Sequence, residues 1–330
     1  MNKRMILYIQ GAILLIESAI MVLPIAAALI YRETSGVWFF YTALAAAICG
    51  FAAMKLSKPR TKTIYAKEGL ITVALGWIVL SLVGALPFTL SGEIPFYLDA
   101  VFEMISGFTT TGSSILPNVE ALSRCMLLWR SFSHWLGGMG ILVFMLAIVK
   151  MEGGQGIHLL RAESPGPTVG KMVPRMVDSS KILYTIYFAL TLVQVVFYLA
   201  GGMPLFDSLC NAFATAGTGG FSIKADSFAS YSMYAQTVTT IFMALFGVNF
   251  SIYFFLLQKK FDLAFKNTEL RWYVGIILFS IAMITANILP MYPDFHAAIH
   301  HAAFSVYLPD KPHKFKKSRI FEATIQIYDL

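Results

Sequence analysis

The sequence predicts an all-α polytopic membrane protein: two N-terminal spans, then repeated units of span, short re-entrant helix, loop and span, two complete and a third incomplete. Three observations carry that prediction. Hydrophobic residues make up 57% of the 330 and charged residues 13%, where soluble domains carry about 25% charge; the mean hydropathy is +0.69. The apolar residues gather into runs of the length that crosses a bilayer, about 20 residues. A short segment also occurs twice: residues 95–114 read PFYLDAVFEMISGFTTTGSS and residues 204–222 read PLFDSLCNAFATAGTGGFS, with Asp99 and Asp207, and Gly112 and Gly220, at the same offset of 108 residues.

The first run, 5–31, follows MNKR. Ala26-Ala27-Ala28 matches a signal-peptidase site, but a run of roughly 26 residues exceeds a signal h-region, so the first span is expected to stay uncleaved. Runs at 36–56, 69–91, 123–150, 180–202 and 230–258 supply five more spans, and 272–292 a seventh. The stretches 95–108 and 204–216, of about 12–14 residues, are too short to cross and predict re-entrant helices.

Loop charge sets the orientation. Lys3 and Arg4 precede the first span, Lys55 to Lys67 follow the second, Lys150 to Lys181 follow the fourth, and Lys259 to Arg271 follow the sixth. All four groups fall on one side if the two short helices dip in from the other. By the positive-inside rule that side, with the N-terminus, is cytoplasmic. The net charge of +7 is therefore an orientation signal and predicts no nucleic-acid partner. The chain divides into a two-helix prelude (1–62), a first repeat (63–150), a cytoplasmic loop (151–179), a second repeat (180–260), the start of a third (261–307) and a basic tail (308–330).

The Thr/Gly loops carry the chemistry. Glycine permits backbone dihedrals that turn carbonyls toward an axis, and threonine is small and offers a hydroxyl. Between two spans, such carbonyls replace the hydration shell of a cation, and the C-terminal end of the preceding helix adds negative potential. The sequence holds no nucleophile–base pair, P-loop or Rossmann glycine pattern, so no enzyme activity and no cofactor are expected.

The motifs GFTTTGSS (107–114), RSFSHWLGGMGI (130–141), ATAGTGGFS (214–222) and LLRAESPGPTVGKM (159–172) resemble the TrkH branch of the Trk/Ktr/HKT potassium transporters over residues 1 to about 307. That resemblance implies a pore-forming subunit of potassium-channel type in the bacterial inner membrane, with potassium as substrate. It also implies a homodimer and a cytosolic TrkA-like regulatory subunit binding NAD or ATP. Carried over by position, the potassium filter is Thr110, Thr111, Gly112 and Ser113, then Thr218, Gly219, Gly220 and Phe221. The loop with Arg161, Glu163 and Lys171 is the candidate contact for the cytosolic partner. The family's third filter, the rest of the third repeat and the fourth repeat have no counterpart: LPDKPHKFKKSRIFEATIQIYDL (308–330) is too basic to line a filter. Whether that tail is a frameshift product or natural stays open, and this form alone is expected to carry little flux.

Asp99 and Asp207 are expected to cap their helices. Glu103 stands one turn on, a candidate for negative charge beside the filter, although its counterpart is Asn211. Glu17 lies in the first span, where an ionisable group is costly; it is expected to be structural, paired or protonated. His134, and His296, His300 and His301 with their HxxxHH spacing, are expected to pack rather than bind metal. Gly137, Gly138 and Gly140 allow a close helix approach, and Cys49, Cys125 and Cys210 are packing residues. Two other functions stay open: a secondary transporter coupled to protons or sodium, which needs ionisable groups at mid-membrane in the repeats, and a non-conducting truncated or interaction subunit.

Overall fold

Inside a bilayer every backbone polar group must find its partner within the protein, which leaves an apolar run little choice but a helix. The computed structural model describes residues 2–59, 66–140, 176–292 and 294–307, and among these the regular elements are all helical. Among the described residues, five helical segments are long and apolar enough to cross a membrane, or six if one sharply bent pair counts as a span.

Helix α1 (Lys3–Ile20) begins at Asn2, whose side chain accepts from the Met5 amide at 3.2 Å. It continues almost directly into α2 (Val22–Tyr31), and the two make one 29-residue span. Helix α3 (Gly36–Leu56) packs back along α1. Their backbones cross closely: a Cβ on Gly11 would stand 2.7 Å from the Gly50 carbonyl oxygen, and one on Gly50 would stand 2.7 Å from that of Gly11. Small residues at such a crossing are how membrane helices gain packing contact without a hydrophobic drive. Glu17 is fully buried in α1, and neither carboxylate oxygen has a hydrogen-bond partner among the described residues. Of the two structural forms expected for it, the paired one finds no partner there.

Helix α4 (Ala66–Leu90) leads to the short α5 (Tyr97–Phe108), and α6 (Arg124–Met139) returns. Carboxylates from two other loops hold the start of α6: Glu33 accepts from the Arg124 and Cys125 amides at 2.8 and 2.9 Å, and Glu93 accepts from the Ser123 amide at 2.7 Å. These satisfy amides that a helix N-terminus leaves open and place negative charge at its positive end. The rest of the expected span 123–150 lies outside the described residues from 141 onward.

Helix α7 (Met176–Ala200), the short α8 (Leu205–Ala216) and α9 (Met233–Phe246) follow the same order of long, short and returning helix. The single span expected over 230–258 is corrected. It is broken into α9 and α10 (Phe250–Leu257), bent by 85°. Gly247 lets the Tyr273 hydroxyl occupy the place of a Cβ. Tyr273 and Tyr253 donate to the Ala244 and Leu245 carbonyls at 2.9 and 2.6 Å, and Asn249 caps the new helix by accepting from the Ser251 amide at 3.0 Å.

After the five-residue α11 (Phe261–Phe265), α12 (Thr268–Ile288) is a further span and α13 (Phe295–Tyr307) a 13-residue helix packed on α12 and α9. Helix α12 starts on Asn267, whose side chain accepts from the Glu269 and Leu270 amides at 2.8 and 3.3 Å. Asn267→Ala is expected to lose about 1 kcal/mol of stability, read as a lower melting temperature of the detergent-purified chain. An unchanged melt would mean that this cap contributes nothing.

Candidate functional site

Helices α5 and α8 are both 12 residues long, and each carries an Asp in its first turn. The capping expected of those residues is not made: Phe96 and Pro204 occupy the cap positions, with no side-chain cap bond. Asp207 instead accepts from the Tyr231 hydroxyl at 2.9 Å.

The chemistry gathers at the other ends. Helix α5 closes with the Thr110 amide on the Gly107 carbonyl at 3.0 Å and the Thr111 amide on that of Ser106 at 2.9 Å, the paired bonds of a Schellman motif. Such a closure needs a left-handed residue, usually glycine, and here it is Thr110 with φ 56°. Helix α8 ends alike, with Thr218 at φ 56° and its amide on the Thr215 carbonyl at 2.8 Å. A β-branched residue in that region is a true outlier, costing about 1–3 kcal/mol, and such strain clusters at functional sites. Two residues later Gly112 and Gly220 are again left-handed, with φ of 77° and 75°. A backbone that alternates in hand turns successive carbonyls toward one side, where an extended strand would send them to opposite sides.

The two loops lie side by side. A Cβ on Gly112 would collide with the Gly219 carbonyl oxygen, and one on Gly219 would stand 2.6 Å from the Thr110 carbonyl oxygen. Thr109, Thr111, Ser113 and Thr218 are exposed. Phe221, the positional counterpart of Ser113, is buried, so it can offer a ligand only from its backbone.

Helix α6 wedges against both loops, and its glycines make room. A Cβ on Gly137 would run into the Phe108 carbonyl and stand 2.8 Å from the Thr110 methyl, and one on Gly138 would stand 3.0 Å from the Ala216 carbonyl oxygen. His134 is fully buried, its ring centroid 4.0 Å from that of Phe221, and both ring nitrogens lack a hydrogen-bond partner among the described residues. It packs, as the sequence predicts. His301 likewise stacks on Tyr292 at 4.8 Å. Among the described residues no group of three His, Cys, Asp or Glu side chains is placed to hold a metal ion.

Sequence reasoning missed one partnership. Glu103 and Arg130, both buried, form an ion pair of 2.5 Å. Two opposite charges inside apolar segments are each costly alone, and that cost was the available signal for pairing them. Cys125 and Cys210 are buried and Cys49 is exposed, and all three are free. Arg161, Glu163 and Lys171 lie outside the described residues.

Residues 38–291 match the family described as TrkH, cation transport protein. The chain is 35% identical over 289 residues to the Trk system potassium uptake protein TrkH of Salmonella typhimurium, covering 86% of this chain and 60% of that protein. It is 34% identical over 313 residues to the Escherichia coli K12 protein of the same name, covering 93% and 65%. The crystal structure of the potassium transporter TrkH from Vibrio parahaemolyticus superposes with a TM-score of 0.80 at 28% identity, over 93% of this chain and 64% of that one. The chain thus spans less than two thirds of the length of each of these relatives.

Proposed function

The chain belongs to the TrkH family of cation transport proteins, and from that premise we propose that it contributes two of the filter loops of a potassium uptake pathway. Potassium crosses dehydrated between the backbone carbonyls of Thr110, Thr111, Gly112 and Ser113 on one loop and Thr218, Gly219, Gly220 and Phe221 on the other. One observation carries this: two loops of left-handed Thr and Gly, in the same order, close two equal short helices and lie against each other. Their carbonyls supply the hard, neutral oxygens that suit a monovalent cation, and the C-terminal ends of α5 and α8 add negative potential. The relatives' names, potassium uptake proteins, support potassium as the ion.

Positive-inside charge supports a multi-pass protein of the bacterial inner membrane with a cytoplasmic N-terminus. The wider family resemblance supports a homodimer with a TrkA-like nucleotide-binding regulator contacting Arg161, Glu163 and Lys171. A transporter coupled to protons is less well supported: Glu103, the buried carboxylate bonded to Ser114 and Ile115, is held by Arg130.

The test is cation-linked stability of the purified chain in detergent. An ion that binds only the folded state stabilises it by about 2.7 kcal/mol at 100 times its dissociation constant. Melting temperature is expected to rise with potassium or rubidium and far less with sodium, choline serving as the reference. Equal curves in all three salts would sink the potassium site.

A further inference from the structure

We infer that Glu103 and Arg130 act as one positioning pair that spans the two loops and fixes their mutual register, a role that rests on the cation reading for its purpose but not for its test. The bonds run in a continuous line. The Glu103 carboxylate accepts from the Ser114 hydroxyl at 3.0 Å and the Ile115 amide at 3.1 Å, just beyond Gly112 in the first loop. The Arg130 guanidinium, 2.5 Å from that carboxylate, donates to the Ser222 carbonyl at 2.9 Å and lies 3.5 Å from the centroid of the Phe221 ring, just beyond Gly220 in the second. Each loop is thus held at its exit by one member of the pair.

The arrangement is not repeated. Where the first loop has Glu103, the second has Asn211, whose side-chain amide donates to the Met203 sulfur at 3.7 Å. The second loop therefore borrows its anchor from α6 and, through it, from the first. A buried ion pair seldom adds stability over an apolar pair of equal volume, but it does specify one geometry, because every donor and acceptor has a direction. The planar guanidinium is suited to this double duty of fork and stacking plate. A filter must hold its carbonyls at a spacing set by the ion, and a cross-loop brace supplies that.

The experiment is hydrogen–deuterium exchange of the whole purified chain in detergent, followed by mass spectrometry over residues 113–116 and 219–224. Glu103→Gln is expected to speed exchange in both windows, by about tenfold or more, although Glu103 touches only the first. Because a lone buried guanidinium can unfold the chain, the paired variant Glu103→Gln with Arg130→Met serves as the second measurement. It removes both charges, is expected to melt cooperatively, and still exchanges faster in both windows. Acceleration confined to 113–116 in Glu103→Gln, or wild-type exchange in the paired variant, overturns the brace. The same samples are melted in potassium, sodium and choline. Loss of the potassium preference in the paired variant ties the brace to selectivity, whereas its retention there overturns that tie. If the wild type itself shows no potassium preference, the cation site fails, and the exchange data still decide the brace.

Discussion

Gly112→Ala is expected to abolish the potassium-dependent rise in melting temperature, while Gly92→Ala leaves it intact. The two glycines both have a left-handed φ, 77° and 80°, so each substitution carries strain of about 1–2 kcal/mol for a side chain in that region. They differ in what a methyl group meets. At Gly92 nothing lies within 4 Å, whereas at Gly112 the new carbon would fall on the Gly219 carbonyl oxygen of the second loop. Backbone cannot swing aside as a side chain can, so the loops must part, adding an overpacking cost of about 1–3 kcal/mol. Their separation also moves the oxygens that would face the ion. Melts in potassium, sodium and choline read both effects, and a wild-type potassium response in Gly112→Ala would exclude the first loop from the site. Gly92→Ala checks that left-handed strain alone is not responsible.

The loops were legible because their signal is chemical and duplicated. Thr-Gly runs at a fixed offset after short amphipathic stretches leave few structural alternatives, and no distant residue is needed to see them. The Glu103–Arg130 pair was legible only as two separate oddities, since its members stand 27 residues apart and no periodicity connects them. The break between α9 and α10 was hidden for a different reason. Hydropathy averages over residues and is blind to direction, so a helix that turns by 85° within an apolar run looks like one that passes straight through. Only Gly247 and Asn249 mark the place, and glycine is common inside a span. Asp99 and Asp207 stand three positions past the cap residues Phe96 and Pro204, so each Asp sits in the first turn, where it meets the helix dipole but does not cap.

Trp129→Ala is expected to destabilise the chain strongly, by about 3–5 kcal/mol. The side chain is fully buried and joins four helices. Its ring lies 6.0 Å from Phe39 of α3, 6.3 Å from Phe108 at the end of α5 and 6.5 Å from Phe132 on α6, and its indole nitrogen donates to the Gly84 carbonyl of α4 at 3.1 Å. In a membrane the transfer part of that cost is small, because lipid tails are as apolar as the protein interior. The cavity part remains, since atoms lining a void lose their dispersion contacts outright. Trp129→Phe separates the two contributions of the side chain. It keeps most of the ring contacts and gives up one hydrogen bond, so it is expected to cost about 1 kcal/mol, and equal melting of the Ala and Phe variants would sink the packing account. Phe108 adds a consequence for function, because it is the last residue of α5 and its carbonyl adjoins Gly137. A void beside it loosens the base of the first loop, so Trp129→Ala is expected to weaken the potassium response as well as the fold. Trp129→Phe keeps both. A Trp129→Ala chain that melts early yet responds fully to potassium would show that the loop is held by its own backbone closure and by α6, without help from the N-terminal helices.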